Sequence, residues 1–303
     1  MISARISALT ARVRDALFVA FLTAPVIIAL GLTVFYPIID GIRTSFLEHT
    51  IRTRRDPFWN NYQNYIDLYE SGDIETYFRT TVTYVVAVVL LSFVISFLLA
   101  LALNNRLVVG RNLLRGLFLI SWVIPTVVAA MLWVWMFQPQ IGVINYILGE
   151  QLNLVEDSQN WLQHPRLSMA AIVMATVWRE APLMFILFLA GLQSIPQDLV
   201  EAAQMDGAGS LRVLRHITLP LMLPIIAIAL LLITINSFQM FVVPYIMTGG
   251  GPVGRTTTLS IAAYEAAFTD FNTGEGAAIG VMWLVSLVFI TLIVNLLISR
   301  TER

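Results

Sequence analysis

Long apolar segments dominate this sequence of 303 residues. The hydrocarbon core of a bilayer is roughly 30 Å thick, and an α-helix needs about 20 apolar residues to cross it. Six segments have this length: 17–39, 81–103, 113–137, 168–192, 221–246 and 277–298. Backbone polar groups must be paired within lipid, so such segments are expected to be helical. We therefore predict an all-α integral membrane protein, a single transmembrane domain over 1–303 with six spans.

The composition excludes several classes of protein. Hydrophobic residues make up 58% of the chain and charged residues 12%, whereas a soluble domain has about 25% charged residues. Cysteine is absent, which excludes disulfides and thiolate chemistry. Lysine is also absent, so the chain has no Walker A lysine and is not itself a P-loop ATPase. Three histidines at 49, 164 and 216 are far apart, and no metal site is expected.

Arginine positions predict the orientation of the spans. The first apolar segment is too long for the core of a signal peptide, and we interpret it as a retained anchor. With the N-terminus inside, the inside segments hold Arg5, Arg12, Arg14, Arg106, Arg111, Arg115, Arg212, Arg215, Arg300 and Arg303. The outside loops hold Arg43, Arg52, Arg54, Arg55, Arg79, Arg166 and Arg255. This bias predicts cytoplasmic termini.

Two long loops are predicted on the outside. The aromatic loop 40–78 is expected to form a small extracytoplasmic cap with short helices. The loop 138–167 is expected to hold a short helix around 143–148. Tyr264 and Phe268 are interpreted as packing residues of a helix that leads to the last span.

A polar insert at 193–220 separates two apolar segments on the predicted cytoplasmic side. Ser194 followed by Gln197 has the form of a capping box, which predicts a helix over 195–205. Gly207 is expected to break that helix, because glycine enters left-handed conformations at little cost. A second short helix is predicted from Ser210 to about residue 216, with Pro220 ending the insert.

The composition of the insert favours a docking surface over an ordinary loop, although the loop stays an open alternative. Glu201 and Asp206 are acidic on a side where basic residues usually lie. The neighbouring residues at 202, 203, 207 and 208 are small, so that another protein could approach closely. Leu199, Val200 and Leu211 could supply apolar contacts.

The residues of this insert carry a family resemblance. Glu201-Ala202-Ala203, Asp206-Gly207-Ala208 and Ile217-Thr218-Leu219-Pro220 resemble the EAA loop of permease subunits of binding-protein-dependent ABC importers. The segments 191–196 (GLQSIP), 248–252 (TGGGP) and 256–259 (TTTL) are similar to the sugar-importer branch. Within it, the chain is most similar to the maltose-type first permease and the glycerol-phosphate-type permease.

The resemblance implies a type I importer permease fold and a set of partners. A dimer of ATP-binding subunits would bind ATP and magnesium, so this chain would need no cofactor and would not be an enzyme. Partners would also include a second homologous permease, an extracytoplasmic sugar-binding protein and membrane lipid, with no nucleic acid. The location implied is the bacterial cytoplasmic (inner) membrane. Coupling to the ATPase would use Glu201, Ala202, Ala203, Asp206, Gly207 and Ala208.

An ionisable pair interrupts the fourth apolar segment. Arg179 and Glu180 precede Pro182, and a charge at the centre of a span costs about 2.5–3.5 kcal/mol on insertion scales. Such groups should face a cavity or a partner. A structural ion pair and a pocket lining that donates to sugar hydroxyls are both open.

The resemblance to the maltose-type permease also implies a substrate pathway midway through the bilayer. Its residues would be Trp122, Thr126, Thr176, Arg179, Glu180, Leu183, Asn236, Ser237 and Met240. The sequence departs from the maltose pattern at Arg179, Glu180 and Met240, which leaves room for an anionic or modified sugar. In some relatives the second permease supplies most contacts.

Two further classes were weighed against an importer permease. An ion-coupled secondary transporter or channel would use Arg179 and Glu180 as a proton relay, but no inverted repeat is visible. A membrane-embedded enzyme lacks support, because the chain has no cysteine, lysine, histidine cluster or paired intramembrane carboxylates.

Overall fold

The computed structural model describes residues 17–53, 55–105, 107–155 and 158–301. Five of its helices are long and apolar enough to cross a membrane, and a bent pair raises the number to six. The long helices are α1 (Leu17–Thr44), α3 (Asp73–Asn104), α7 (Ser168–Ser194), α9 (Ser210–Phe238) and α12 (Thr273–Thr301). The bent pair is α4 (Arg111–Val123) and α5 (Thr126–Met136).

Shorter elements connect these helices. A two-residue antiparallel pairing joins β1 (Leu47–Glu48) to β2 (Phe58–Trp59). The short helices are α2 (Gln63–Glu70), α6 (Val143–Asn145, continued by a π-helical turn to Gln151), α8 (Gln197–Met205), α10 (Val242–Thr248) and α11 (Leu259–Tyr264, continued by a π-helical turn to Thr269). The helix expected around 143–148 and the helical part of the 40–78 loop are therefore present. The β-pairing was not predicted.

The central helix pair is α3 with α7. The Tyr84 hydroxyl lies 2.9 Å from the Thr176 hydroxyl, and Ser96 Oγ donates to the Ala181 carbonyl at 2.7 Å. Both contacts are buried. Phe188 of α7 packs edge-on against rings of α3, and α9 completes this part of the core. The small residues at these crossings allow two backbones to approach closely, as is usual in membrane bundles.

The segment predicted as one span over 113–137 is not a single straight helix. It bends by 101° between α4 and α5. Pro125 causes the break, since it lacks a donor N–H and holds Ile124 in an extended conformation. Hydropathy alone could not detect this bend.

The span predicted at about 221–246 is present as a helix, but the C-terminal part of the predicted range leaves it. The helix α9 ends at Phe238, and α10 begins only at Val242. The intervening residues Gln239–Phe241 leave the helix, and the Trp283 indole donates to the freed Phe238 carbonyl at 3.1 Å. The carbonyl group that the break leaves free therefore accepts a hydrogen bond from α12.

One end of the bundle, here called the hairpin side, carries β1, β2 and α2. A clamp holds this unit to the start of α12. Thr273 Oγ1 and the Gly274 N–H both donate to the His49 carbonyl, at 2.8 and 3.2 Å. The buried Asn64 amide donates to the Ser45 and Leu47 carbonyls. These contacts tie a loop of low regular structure to a spanning helix.

Gly274→Ala is expected to loosen this clamp. A Cβ at Gly274 would lie 2.3 Å from the Leu47 carbonyl oxygen, which is backbone and cannot rotate away. Overpacking of this kind costs about 1–3 kcal/mol. Thermal unfolding in detergent should show a lower Tm. The control is Gly280→Ala in the same helix, where nothing lies within 4 Å; equal Tm values for the two variants would contradict the clamp.

Candidate coupling and translocation sites

The polar insert forms a helix and a sharp turn at the end opposite the hairpin side, here called the insert side. Gly207 has φ +82°, the left-handed conformation that the sequence predicted. The turn is closed by hydrogen bonds from Gly207 N–H to the Gln204 carbonyl and from Ala208 N–H to the Ala203 carbonyl, at 3.0 and 2.9 Å. This geometry directs the chain from α8 back towards the bundle.

The predicted capping box is wrong. Ser194 is the last residue of α7, and its hydroxyl donates to the Gly191 carbonyl at 2.8 Å. The helix α8 begins at Gln197 after Pro196, with no side-chain cap. A serine at the end of a helix can bond back to the preceding turn, and here that bond replaces the expected cap.

The insert presents a largely exposed surface. Glu201, Ala202, Asp206 and Gly207 are exposed, while Ala203 and Ala208 are half-buried. Met205 is 88% exposed, and sequence reasoning did not name it. Its position one helical turn after Glu201 was the available signal. Methionine is enriched at protein interfaces, so the exposed Met205 side chain favours a docking surface here.

The second half of the insert is continuous with the next span. The prediction that it ends at Pro220 is wrong, because α9 runs from Ser210 to Phe238 without interruption. A π-helical turn over Leu214–Thr218 directly precedes the proline. Such a turn shifts the hydrogen-bond register, which accommodates the missing N–H of Pro220.

Arg179 and Glu180 lie in the middle of α7 and contact each other. Arg179 Nη1 donates to Glu180 Oε1. The Glu180 carboxylate is almost fully buried and also lies close to the Asn236 amide of α9, whereas about one fifth of the Arg179 side chain is exposed. Among the described residues, no acceptor is found for Arg179 Nε. The charges of Arg179 and Glu180 therefore neutralise each other, and the buried Arg179 Nε–H remains without an acceptor among these residues.

The other pathway residues divide into two groups. Thr176 and Ser237 are fully buried between helices. The Thr176 hydroxyl is hydrogen-bonded to Tyr84 and Ile172, so in this conformation it does not line an open surface. The accessible residues are Trp122 and Asn236, which are exposed, and Thr126, Leu183 and Met240, which are half-buried.

Two exposed side chains lie beside the pathway. Gln239 is exposed at the break after α9, although its amide lies within an apolar segment. Phe268 is 66% exposed, although its ring packs on that of Tyr264 at a centroid distance of 5.1 Å; Tyr264 is half-buried, as packing would allow. No cluster of three or more potential metal-ligating side chains occurs in the part of the chain that the structure describes.

A bundle of spans with an exposed insert between two of them is the form of a membrane-embedded transport subunit. Residues 92–303 match the family described as the binding-protein-dependent transport system inner membrane component. The chain belongs to this family. It is therefore a multi-pass membrane permease subunit and not an enzyme in its own right.

Similar proteins include two permeases and a solved importer. The trehalose/maltose transport system permease protein MalF of Thermococcus litoralis is 38% identical over 244 residues, 80% of each chain. The sulfoquinovosyl glycerol transport system permease protein SmoG of Agrobacterium fabrum is 33% identical over 290 residues, covering 95% of this chain and 92% of the relative.

The fold is similar to that of a bacterial ABC transporter involved in the import of the acidic polysaccharide alginate. The TM-score is 0.82 at 25% identity, covering 96% of this chain and 97% of the other. The alginate transporter in complex with its pentasaccharide-bound periplasmic protein gives a TM-score of 0.80, with 95% of each chain covered.

Proposed function

We propose that this chain is the permease subunit of an ATP-driven ABC importer that moves a carbohydrate from a binding protein into the cytoplasm. The observation that carries the proposal is the insert, whose exposed face and left-handed Gly207 turn suit docking into another protein. The names of the relatives, which describe trehalose/maltose and sulfoquinovosyl glycerol transport, support a carbohydrate substrate.

The insert sets the proposed orientation and partners. The insert side would be cytoplasmic, as would both termini, and the hairpin side would meet the sugar-binding protein. The arginines at 5, 12, 14, 54, 106 and 303, part of the orientation argument, lie outside the described residues. A dimer of ATP-binding subunits would hold ATP and magnesium, and a second homologous permease would complete the membrane part.

Glu201 would anchor the insert in a cleft of the ATP-binding subunit. Its carboxylate is exposed on α8, where basic or amide groups of a partner could reach it. Ala202, Ala203 and Ala208 would allow close approach, and Asp206 would add a second acid beside the Gly207 turn. Closure of the ATP-binding subunits would then move α8.

The substrate pathway would pass the accessible polar groups in mid-membrane. Asn236 offers both a donor and an acceptor to sugar hydroxyls. The unpaired Arg179 Nε–H is buried and would become a further donor only if the helices around it separate. Trp122 is exposed and could stack on a sugar face. Thr176 and Ser237 would enter the pathway only if the helices around them separate during transport.

An ion-coupled carrier or channel is the alternative function. It would need Arg179 and Glu180 as a relay, but Arg179 is already paired with the adjacent carboxylate. The chain belongs to a binding-protein-dependent family, and its relatives are permeases of such transport systems. Both findings disfavour an ion-coupled carrier or channel.

Co-purification tests the proposal. The tagged chain should be expressed from its native gene cluster, solubilised gently and its companions identified by mass spectrometry. We expect a P-loop ATPase and a second permease, with ATP hydrolysis stimulated by the neighbouring binding protein. A stable, monodisperse chain without companions, carrying solute in an ion-dependent way, would contradict an importer.

A further inference from the structure

A groove of about 400 Å³ lies beside the pathway on the hairpin side, between α11 and α12. Four aromatic side chains line it: Phe241, Tyr264, Phe268 and Trp283. We call this feature the aromatic groove. Its volume falls within the range of about 300–1,000 Å³ typical of small-molecule sites, and none of the proposed pathway residues lies in it.

Three rings of the aromatic groove, those of Phe241, Tyr264 and Phe268, form a continuous series. Tyr264 is at the centre, with ring centroids 5.1 Å from Phe241 and 5.1 Å from Phe268. Tyr245 backs the series at 5.0 Å from Tyr264. Phe268 at the outer end is two-thirds exposed, whereas Phe241 is half-buried. The series therefore leads from the hairpin side inwards.

The inner end of the groove meets the proposed pathway. Phe241 directly follows Met240, and the Ser260 hydroxyl in the groove wall donates to the Met240 carbonyl at 3.3 Å. Gln239 lies exposed in the adjoining groove, which shares Trp283 with this one. An exposed amide is costly against lipid, so this side of the bundle suits an aqueous path or a protein neighbour.

The lining has the chemistry of a sugar site. An aromatic ring is negative on its face, which attracts the C–H groups on the apolar face of a pyranose. Ser260 and Thr273 add hydroxyl oxygens to the wall. The Thr273 oxygen keeps acceptor capacity beyond the bond it donates, whereas the Ser260 hydroxyl is largely buried and is also bonded to Thr258. An acyl chain forms no hydrogen bonds, so hydroxyls in the wall do not favour lipid as the ligand. The residues that line the groove include no cation that could bind an anionic ligand.

The charge around the groove disfavours anionic sugars. Glu265 and Asp270 flank the Tyr264–Phe268 turn, and the Glu275 carboxylate accepts from Asn272 at 2.8 Å nearby. Burial, and then the negative charge of Asp270, raises the pKa of Glu265. Clefts of one charge sign repel ligands of the same sign. Further in, Arg179 is the basic residue of the proposed pathway, and its charge is already paired.

We propose that the aromatic groove is an outer carbohydrate subsite, which stacks the ring of an uncharged sugar between the binding protein and the mid-membrane pathway. This inference rests on the proposed function and narrows its substrate class. The sugar leaves the binding protein, stacks on Phe268 and Tyr264, and reaches Phe241 beside Met240.

The test uses the complete importer in proteoliposomes and compares Tyr264→Leu with Tyr264→Phe. Leucine keeps apolar volume but removes the ring, whereas phenylalanine keeps the ring. The readout is sugar transported per ATP hydrolysed, measured with the sugar that the binding protein retains and with trehalose, maltose and alginate pentasaccharide as probes. Phe289→Leu is the matched control, because Phe289 is 63% exposed on α12 but does not line the groove.

We expect Tyr264→Leu to lower sugar transported per ATP by about 3- to 10-fold, the equivalent of one aromatic contact. Tyr264→Phe and Phe289→Leu should stay within about twofold of the parent. An unchanged ratio in Tyr264→Leu overturns the subsite, and so does loss of the second permease on purification, which would make the groove a subunit interface. Retention and transport of the acidic alginate probe in preference to trehalose and maltose overturns the uncharged class.

Failure of the proposed function is distinct, because the parent complex itself would then show no stimulated ATP hydrolysis.

Discussion

Glu201→Lys is expected to abolish ATP-driven uptake while leaving membrane insertion intact. The carboxylate is exposed on α8, so its replacement removes no buried group from the described part of the chain. In the proposed complex it meets basic or amide groups, and reversal of its charge would place like charges together, which costs several kcal/mol at an interface. Uptake and binding-protein-stimulated ATP hydrolysis in proteoliposomes are the measurements.

Gly207→Trp should have the same effect for a different reason. Gly207 has φ +82°, which a residue with a side chain rarely adopts. Among the described residues, no atom lies within 4 Å of a Cβ added at Gly207, so the added ring would clash with the docked partner. Glu150→Lys, at an exposed acid far from the insert, is the control for charge reversal. Normal uptake in both insert variants would rule out this docking surface.

Arg179→Ala is expected to destabilise the protein strongly. It leaves the nearly fully buried Glu180 carboxylate without its cation, and breaking a buried pair costs about 3–5 kcal/mol. Thermal unfolding in detergent should show the loss. The paired variant Arg179→Met with Glu180→Gln removes both charges and should recover most of the stability.

Uptake by the paired variant separates the two roles that the sequence left open. Stable protein with reduced sugar uptake would support a pathway in which Arg179 donates to sugar hydroxyls. Stable protein with unchanged uptake and apparent sugar affinity would make the pair structural and remove Arg179 from the pathway.

Much of the fold was predictable because lipid imposes a simple rule on composition. Runs of about 20 apolar residues become helices, and the helices α1, α3, α7 and α12 follow such runs. The breaks at Ile124–Pro125 and at Gln239–Phe241 were missed, because the mean hydropathy of each segment stays high across the break. Their hydrogen bonds are satisfied by distant residues such as Trp283.

The candidate sites were predictable to different degrees. The Gly207 turn follows from local backbone preference, so it could be inferred from residues close in sequence. The aromatic groove combines Phe241 and Tyr264 with Trp283 of another helix, and a linear sequence does not show that these rings meet. Thr176 matched a pathway motif, yet its hydroxyl is occupied by Tyr84, which lies 92 residues earlier.

In the proposed importer, the helix α9 connects the insert to the mid-membrane residues of the pathway. It joins Ser210, next to the Gly207 turn, to Asn236, and it carries two irregular points, the π-helical turn over Leu214–Thr218 and Pro224, through which a movement of the insert would reach mid-membrane. One extra residue within it would rotate everything beyond by roughly 100°, since a turn takes 3.6 residues. The number of residues in α9 therefore sets the direction in which the side chains near Asn236 point relative to the insert.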